Sequence, residues 1–193
     1  IPVAPVMLII AAAIKIEDGG PVFYKQKRLT RGGREFEILK FRSMIVDAEK
    51  GGETIPCRTG DPRITHVGRV IRKLRIDEFP QIINVLKGDM SIVGPRPERV
   101  EHVEAYTKEI PEFSYRLRVK GGLTGYAQIY GKYNTSPYDK LRLDLQYIEK
   151  QSLLMDLKLI LLTVKIMFVP ESTEGFTQKR SEQITEEAKT KEQ

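Results

Sequence analysis

The chain opens on an uninterrupted apolar run. Residues 1–14, IPVAPVMLIIAAAI, carry no charge. A helix of this length would measure roughly 21 Å, which is shorter than the ~30 Å hydrocarbon core of a bilayer. Part of a membrane segment, a buried core helix and the remnant of a signal peptide are all open interpretations, although no basic region precedes the run as in a signal peptide. The pattern favours the membrane segment, and the missing initiator methionine favours a fragment whose natural N-terminus lies upstream.

Alternating apolar and polar residues next predict a β-hairpin. Residues 22–24 and 36–41 are typical of short strands, and glycine-rich turns precede and separate them at 19–21 and 32–33. Seven basic residues lie along this hairpin between positions 25 and 42. They can form an ordinary solvated face or a surface that lies on anionic lipid headgroups, and the pattern alone does not choose between the two.

Helical spacing of apolar residues predicts two short helices in the middle of the chain. The first is basic and covers 67–74. The second begins with Asp77 as its N-cap, has Pro80 in its first turn and ends before Gly88. Its apolar positions have the spacing i, i+3, i+4 and i+7 and are Phe79, Ile82, Ile83 and Leu86.

The remaining segments are assigned more coarsely. We expect a helix and then a loop over 45–65, a polar helix and a loop over 99–118, a glycine-rich and then strand-like segment over 121–131, and helices from 136 to about 169. The last segment, 177–193, has no apolar face and is expected to be disordered. Together these elements predict an α+β fold that is rich in helices and contains a small β-hairpin or sheet.

Composition narrows the chemistry. The 193 residues are 40% hydrophobic and 30% charged, as in a folded domain. The formal net charge of +6 favours anionic partners such as nucleic acid, an anionic membrane surface or a phosphorylated substrate. Cys57 is the only cysteine, and His66 and His102 have no metal-ligand spacing, so a cysteine-rich zinc site is excluded. Because no phosphate-loop, serine-nucleophile or HExxH motif occurs either, the chemistry must rest on carboxylates and arginines.

Two adjacent carboxylates, Asp77 and Glu78, follow the basic helix. Both have an ordinary structural interpretation, because Asp is a favoured N-cap and Glu in a first turn is stabilised by the helix dipole. Arg72, five residues earlier, can point towards the same pocket. Arg96 lies in the motif GPRP, whose prolines stiffen the backbone and reduce the entropy lost when the arginine binds a phosphate. A plain surface turn is the alternative for that motif.

Adjacent acids flanked by arginines suit phosphoryl transfer. One carboxylate can attack or activate, while guanidinium groups stabilise the phosphate oxygens. A divalent cation would offset the negative charge, and Mg²⁺ is the natural choice for oxygen ligands beside a phosphate. A helix N-terminus and nearby guanidinium groups are expected to hold the attacking carboxylate of Asp77 ionised.

Several longer motifs, in this order, resemble those of the bacterial sugar transferases, the monotopic polyprenyl-phosphate phosphoglycosyl transferases. They are GGPVFYKQKR, FEILKFRSM, RKLRIDEFPQIINVLKGDMSIVGPRPE, GLTGYAQIYG and LDLQYIEKQSLLMDLKLILLTV. The likeness extends from about residue 5 to about residue 176. It implies an enzyme that transfers a sugar 1-phosphate from a UDP-sugar to undecaprenyl phosphate and releases UMP. This reaction would start the synthesis of an exopolysaccharide, a capsule or a glycoconjugate.

The resemblance also implies roles for single residues. Asp77 would be the nucleophile of a covalent phosphosugar intermediate, with Glu78 as a metal or proton-handling partner and with Mg²⁺ required. The candidate phosphate-binding residues are Arg72, Arg96, Arg42 and Lys40. The candidate metal ligands are Asp77, Glu78 and Asp156.

For the organisation of the chain, the resemblance implies three parts. Residues 1–16 would be the second half of a re-entrant membrane helix, 17–176 the catalytic domain, and 177–193 a polar tail. The apolar helix over 153–169 would pack on the protein with one edge in the membrane interface. The catalytic domain would lie on the cytoplasmic face of the inner membrane, with a homodimer as a further expectation. The ending LLTVKIMFVPESTEGF resembles the long exopolysaccharide-type subclass, of which this chain would be the catalytic part.

Two non-catalytic hypotheses compete with this one. The positive charge would permit a nucleic-acid-binding module, but no RNP, KH or zinc-finger motif is visible, so no nucleic-acid partner is expected. A peripheral membrane scaffold would use the basic hairpin and the apolar ends of the chain. The scaffold leaves Asp77, Glu78 and Arg96 without a role.

Overall fold

Two small β-sheets are set among helices in a computed structural model that describes residues 3–48, 60–131 and 135–167. The helices are α1 (Val3–Asp18), α2 (His66–Lys73), α3 (Gln81–Leu86), α4 (Val100–Glu109), α5 (Tyr126–Tyr130), α6 (Pro137–Lys150) and α7 (Leu153–Met167). The strands are β1 (Phe23–Leu29), β2 (Glu35–Phe41), β3 (Ser91–Val93) and β4 (Gly122–Thr124). Shorter 3-10 segments cover Arg31–Gly33, Ile76–Glu78 and Pro111–Arg118. The predicted α+β fold, rich in helices and with a small hairpin, is confirmed.

The predicted hairpin is formed by β1 and β2, which pair antiparallel from Phe23 opposite Phe41 to Leu29 opposite Glu35. Alternate positions of β2 face the interior, as expected for a strand with one solvated side, and Ile38 there is only 3% exposed. The strands extend further than the sequence pattern suggested, because Lys and Arg residues of β1 continue the pairing on its solvated face.

The side-chain amide of Asn84 joins α3 to the hairpin. Its Oδ1 accepts a hydrogen bond from the Leu39 N–H at 2.9 Å, and its Nδ2 donates to the Glu37 carbonyl at 2.8 Å. Asn84 is 2% exposed, so both polar groups of the amide are satisfied inside the protein. The amide therefore makes hydrogen bonds to β2 of the kind that a neighbouring strand would make. In this way it fixes α3, which follows Asp77 and Glu78 in the chain, on β2.

One face of α1 packs on the end of the hairpin, where Ile10 and Ile14 are buried with Phe41. The opposite face of α1 is also apolar, but Leu8 and Ile9 on it are 72% and 70% exposed. The helix has 16 residues. Among residues 3–48, 60–131 and 135–167, no helix combines the length and the apolar character needed to cross a bilayer.

The second sheet pairs β3 and β4 in parallel, with Val93 beside Thr124. Val93 belongs to a buried cluster with Tyr147 of α6 and Leu159 of α7. Beyond β3 the two backbones approach closely, and a Cβ atom at Gly122 would lie 2.2 Å from the Gly94 nitrogen. Glycine at this crossing lets the GPRP segment leave β3 directly against β4.

The strand-like prediction for the second half of 121–131 is wrong, because residues 126–130 form the helix α5. Tyr126 and Ile129, spaced as i and i+3, pack on the buried cluster around Val93. Aromatic and β-branched residues favour strands only weakly, and packing decides here.

The prediction that Asp77 is the N-cap of a helix is also wrong. Arg75 adopts the left-handed region with φ of +55°, which separates α2 from the 3-10 turn Ile76–Glu78. The helix α3 starts only at Gln81, with Pro80 before it. Asp77 is therefore held in a tight turn between two helices rather than at a helix N-terminus.

Of the remaining predictions, some are confirmed, the start of the helix expected from residue 45 is wrong, and residues 49–59 and 177–193 fall outside the described part of the chain. The basic helix over 67–74 is α2, and the polar helix over 99–118 is α4 followed by a 3-10 segment. Residues 45–48 form a turn rather than the start of a helix, and Met44 makes an antiparallel bridge with Ile64. The tail over 177–193 lies outside the described part of the chain.

Candidate active site

The 3-10 turn Ile76–Glu78 places two carboxylates where α2, β2 and the GPRP segment meet. Glu78 receives the ammonium group of Lys40 from β2, with Nζ 2.7 Å from Oε1. Arg96 binds Glu78 with both ends of its guanidinium, by Nη2 to Oε1 and by Nη1 to Oε2 at 3.3 Å. Three segments that are distant in the sequence are thus joined at one carboxylate.

The two cations keep Glu78 ionised. Burial alone would raise the pKa of its carboxyl group, but the charges and hydrogen bonds of Arg96 and Lys40 outweigh burial and hold that pKa well below its usual range. In return, Glu78 raises the pKa of the Arg96 guanidinium. Burial lowers the pKa of Lys40. The charge of Glu78 raises this pKa but only partly offsets the effect of burial.

Asp77, the preceding residue, has a pKa shift in the opposite direction. Within the described part of the chain, no other side chain makes a hydrogen bond or an ion pair with its carboxylate. Burial and the charge of Glu78 raise the pKa of Asp77, and the more distant charges of Lys40 and Arg72 offset this only in part. The helix N-terminus expected to favour the ionised form of Asp77 is absent, because α3 begins later, and Arg96 and Lys40 bind Glu78 rather than Asp77.

Arg72 reaches the site from α2. A Cβ atom at Gly68 would lie 2.0 Å from the Ser43 carbonyl oxygen, so the helix can approach the segment after β2 only with glycine there. Arg72 Nη1 lies 3.4 Å from Ser43 Oγ, a long contact that leaves most of its donors available. Its charge lowers the pKa of Asp77, which places it within electrostatic range of that carboxylate.

The N-terminus of α2 is fixed from two sides. The Thr65 hydroxyl accepts a hydrogen bond from the Gly68 N–H at 2.9 Å. The carboxylate of Glu17, at the end of α1, accepts from the N–H groups of His66 and Val67 at 2.6 and 3.2 Å. These caps satisfy N–H groups of the first turn of α2. They hold the N-terminus of the helix that carries Arg72 in place.

The structure does not bring Arg42 to the carboxylate pair. Arg42 is 6% exposed and binds Asp18 of α1 with both Nη atoms. Its Nε donates to the Pro21 carbonyl at 2.6 Å, and Nη1 also donates to the Met44 carbonyl at 3.2 Å. With these bonds made, its guanidinium holds the end of β2 against α1.

Asp156 is likewise held elsewhere. Its Oδ1 accepts a hydrogen bond from the Tyr147 hydroxyl at 2.8 Å, and that hydroxyl lies 3.3 Å from the Val93 carbonyl oxygen. Burial and this bond raise the pKa of Tyr147. Asp156 therefore links α6 and α7 behind the strand that leads to Arg96.

A cage of three protein ligands for a metal ion is not formed by the described residues, and Asp77, Glu78 and Asp156 do not come together as such a group. Both oxygens of Glu78 are already bound by cations. The carboxylate of Asp77 is not paired with another side chain of the described residues. This fits the way Mg²⁺ commonly binds, through one or two carboxylates together with phosphate oxygens and water. The residues present fit an ion shared with a substrate rather than a site made by protein alone.

Sequence reasoning missed a buried ionic cluster behind Arg96, formed by Arg28, Glu98, Arg116, Lys140 and Asp144. One signal could have shown it. Leu141, Asp144 and Tyr147 of α6 are spaced as i, i+3 and i+6, which places an acid within the apolar stripe of the helix. A charge in that position needs a buried partner.

Comparison with known proteins shows which family the chain belongs to. A family model described as bacterial sugar transferase matches residues 1–170. The UDP-N-acetylgalactosamine-undecaprenyl-phosphate N-acetylgalactosaminephosphotransferase of Aeromonas hydrophila is 45% identical over 165 residues, which are 84% of this chain and 39% of that protein. The UDP-glucose:undecaprenyl-phosphate glucose-1-phosphate transferase of Caulobacter vibrioides is 42% identical over 174 residues, 88% of this chain and 65% of that protein.

A third relative is matched over most of its own length. The uncharacterized sugar transferase EpsL of Bacillus subtilis is 39% identical over 180 residues, which are 93% of this chain and 86% of that protein. The chain therefore spans less than two thirds of the first two relatives and most of the third. The family match over residues 1–170 and these identities show that the chain belongs to the bacterial sugar transferase family.

Proposed function

We propose that the chain transfers a sugar 1-phosphate from a UDP-sugar to undecaprenyl phosphate and releases UMP. The observation that carries the proposal is the open carboxylate of Asp77 beside a neighbour, Glu78, that already binds Arg96 and Lys40. The printed names of the Aeromonas and Caulobacter relatives supply the donor and acceptor classes.

In the first step, a carboxylate oxygen of Asp77 forms a bond to the phosphorus that carries the sugar. The bond from that phosphorus to the bridging oxygen breaks, and UMP leaves with the electron pair. In the second step, a phosphate oxygen of undecaprenyl phosphate bonds to the same phosphorus, the bond to Asp77 breaks, and the free carboxylate returns. Asp77 is the better nucleophile of the two carboxylates because Lys40 and Arg96 pair with Glu78 and not with Asp77.

In this proposal Glu78 positions the cations of the site, in place of the metal or proton-handling role that the resemblance implies. Its two oxygens hold Arg96 and Lys40 in place before substrate arrives. Such preorganised cations stabilise phosphate oxygens without rearranging during the reaction. Arg72, whose charge lowers the pKa of Asp77, adds a third positive charge.

Asp77 is the residue that would hold a Mg²⁺ ion, which would supply positive charge to compensate the leaving UMP. The protein residues bind and orient the phosphates, since Arg96, Lys40 and Arg72 surround the open carboxylate with positive charge.

We also propose that the chain lies on a membrane, where the acceptor lipid is found. Besides Leu8 and Ile9 of α1, the residues Leu153, Leu154 and Leu161 of α7 are 85%, 80% and 63% exposed. Apolar faces of this kind bind membrane interfaces. The proposed arrangement has residues 1–16 re-entering the bilayer and the site on the cytoplasmic face of the inner membrane.

The test is UMP release by the chain in detergent, with Mg²⁺, undecaprenyl phosphate and a panel of UDP-sugars that includes UDP-glucose and UDP-N-acetylgalactosamine. Release that requires the wild-type residue at 77, and that persists in the control variant Asp89→Asn, supports the proposal. No release with any donor, or equal release by Asp77→Asn, contradicts it. A nucleic-acid-binding module would instead show salt-sensitive binding of oligonucleotides without UMP release.

A further inference from the structure

We propose that Arg116 and Arg28 are positioning residues for Arg96, which they hold through the backbone of the GPRP segment. Arg116 lies in the 3-10 segment Pro111–Arg118, and Arg28 lies on β1. Neither contacts Asp77 or Glu78. Their importance for turnover rests on the proposed function, but their hold on Arg96 does not.

Two consecutive carbonyl groups of the GPRP segment are bound by arginine side chains. Arg116 Nη2 donates to the Arg96 carbonyl at 2.9 Å, and Arg28 Nη1 donates to the Pro97 carbonyl at 3.1 Å. Pro97 has no N–H group and a fixed φ, so the carbonyls are the main handles by which the protein can fix this backbone. Both handles are bound by guanidinium groups from elsewhere in the fold.

The next residue is held as well. Glu98 is 9% exposed, and its Oε1 binds the ammonium group of Lys140 from α6. Arg116 Nη1 lies 3.7 Å from the same oxygen. Residues 96, 97 and 98 are therefore anchored in succession, by cations from the 3-10 segment, from β1 and from α6.

Arg116 is itself fixed by a buried acid. Its Nε and Nη2 donate to a single oxygen, Oδ2 of Asp144, at 3.1 and 2.7 Å. Asp144 is fully buried and Arg116 is 3% exposed. Because Nη2 has two hydrogens, this side-on geometry leaves one of them for the Arg96 carbonyl.

Stability alone gives little reason for such a pair. Replacing a buried ion pair by apolar residues is often neutral or even stabilising, because desolvation offsets the attraction. The other carboxylate oxygen of Asp144 also accepts no hydrogen bond from the described residues, which adds to the cost. What the pair achieves is geometric, since it directs one guanidinium hydrogen at the backbone of the residue whose side chain binds Glu78.

The consequence is a rigid path from the core to the site. The carbonyl of Arg96 is bound on the core side, while its guanidinium reaches Glu78 on the other. Proline on both sides of Arg96 removes further backbone freedom. Loosening the carbonyl would let the guanidinium rotate away from the position that a phosphate needs.

The experiment follows the Arg96 guanidinium by ¹⁵N NMR in the intact chain, with its signals assigned from Arg96→Lys. A guanidinium held at both ends gives separate Nη1 and Nη2 signals, and a freely rotating one gives averaged signals. Arg116→Lys keeps a positive charge beside Asp144 but removes the bond to the Arg96 carbonyl. We expect separate Arg96 signals in the wild type, averaged signals in Arg116→Lys, and UMP release lowered about tenfold.

Two further variants complete the design. Arg28→Lys removes the hydrogen bond to the Pro97 carbonyl. Because Arg28 does not belong to the buried pair of Arg116 and Asp144, this variant tests the positioning role if Arg116→Lys does not fold. Arg34→Lys is the matched control, because the exposed side chain of Arg34 binds Asp89 at 2.9 Å; it should change neither the NMR signals nor turnover.

The outcomes separate the two proposals. Averaged Arg96 signals in the wild type, or separate signals in the folded variants, would overturn the positioning role, whatever happens to UMP release. Averaged signals in the variants with unchanged turnover would confirm the positioning role and count against Arg96 in the reaction. If the wild type releases no UMP at all, the proposed function fails and the NMR comparison still decides the positioning.

Discussion

Two arginine–carboxylate pairs flank the end of β2, and they differ in the charged side chains that lie next to them. Arg42 and Asp18 join the end of the strand to α1, and the remaining donors of Arg42 are directed at backbone carbonyls. Arg96 and Glu78 join the GPRP segment to the 3-10 turn, with Lys40 as a second cation. The first pair consists of one basic and one acidic residue. Around the second pair, three basic residues lie near two acids: Arg96, Lys40 and Arg72 near Asp77 and Glu78.

The difference shows what separates a structural ion pair from a site. Around Asp18, the guanidinium of Arg42 is occupied by the carboxylate and by two backbone carbonyls. Around Glu78 one acid satisfies two cations, while Asp77 keeps an open carboxylate. An excess of positive charge next to an open carboxylate suits an incoming diphosphate. Variants at the two pairs should therefore affect different properties.

The largest effect is expected for Asp77→Asn, which should lower UMP release by at least about 10³-fold because the attacking oxygen is lost. Since the pKa of Asp77 is raised in the folded protein, its ionisation opposes folding near neutral pH. The variant should consequently be as stable as the wild type or slightly more stable. Turnover and urea unfolding measure the two properties, and an inactive variant that is also strongly destabilised would contradict this account.

The next effect is expected for Glu78→Gln, which leaves Arg96 and Lys40 without their shared carboxylate. Turnover should fall about 10²-fold, since the cations are no longer held for the phosphates. The matched control is Glu37→Gln, because Glu37 also pairs with a lysine of the hairpin, Lys25 at 3.0 Å, but on the exposed side. Equal losses of UMP release in the two variants would remove the distinction between site and surface.

For the structural pair, Asp18→Asn should lower the free energy of unfolding by about 2 kcal/mol and change turnover little. The bond to Arg42 lowers the pKa of Asp18 from 3.8 to about 2. A depressed folded-state pKa means that this stabilisation is complete above about pH 4 and is lost as the pH falls towards 2. Urea unfolding at pH 7 and at pH 3 tests both statements, and a large loss of activity in a stable variant would place Asp18 in the site.

The smallest effect concerns the pH profile of UMP release. Asp77 must be ionised to attack, so activity should fall as the pH drops through its raised pKa. Arg72→Gln removes a charge that lowers this pKa, so the acid limb of kcat/KM should move to higher pH. Arg69→Gln, a change on the same helix, serves as the control. An acid limb that stays in place in Arg72→Gln would show that Arg72 does not act on the attacking group.

How far the sequence leads can be judged at particular residues. The hairpin and the basic helix follow from alternation and helical spacing, since these patterns are local. Asp77, Glu78, Arg72 and Arg96 were found from residue type and from the stiff prolines, and the structure brings them together. Lys40 was a candidate too, and only the structure shows its bond to Glu78.

What the sequence did not reveal depends on contacts between distant segments. The spacing of apolar residues does not show that Arg75 adopts the left-handed region or that α3 begins only at Gln81. It therefore predicts an N-cap at Asp77, which is wrong. Arg42 resembles any other basic residue of the hairpin until Asp18 is placed beside it. Arg116 and Asp144, 28 positions apart, have meaning only as a buried pair.

The most direct test of the central claim is intact-protein mass spectrometry after incubation with a UDP-sugar and Mg²⁺ but without acceptor lipid. The account predicts an added mass of one sugar phosphate, located at Asp77 by peptide mapping, absent in Asp77→Asn and removed by undecaprenyl phosphate. UMP release without any adduct in the wild type, or an adduct on another residue, would contradict it.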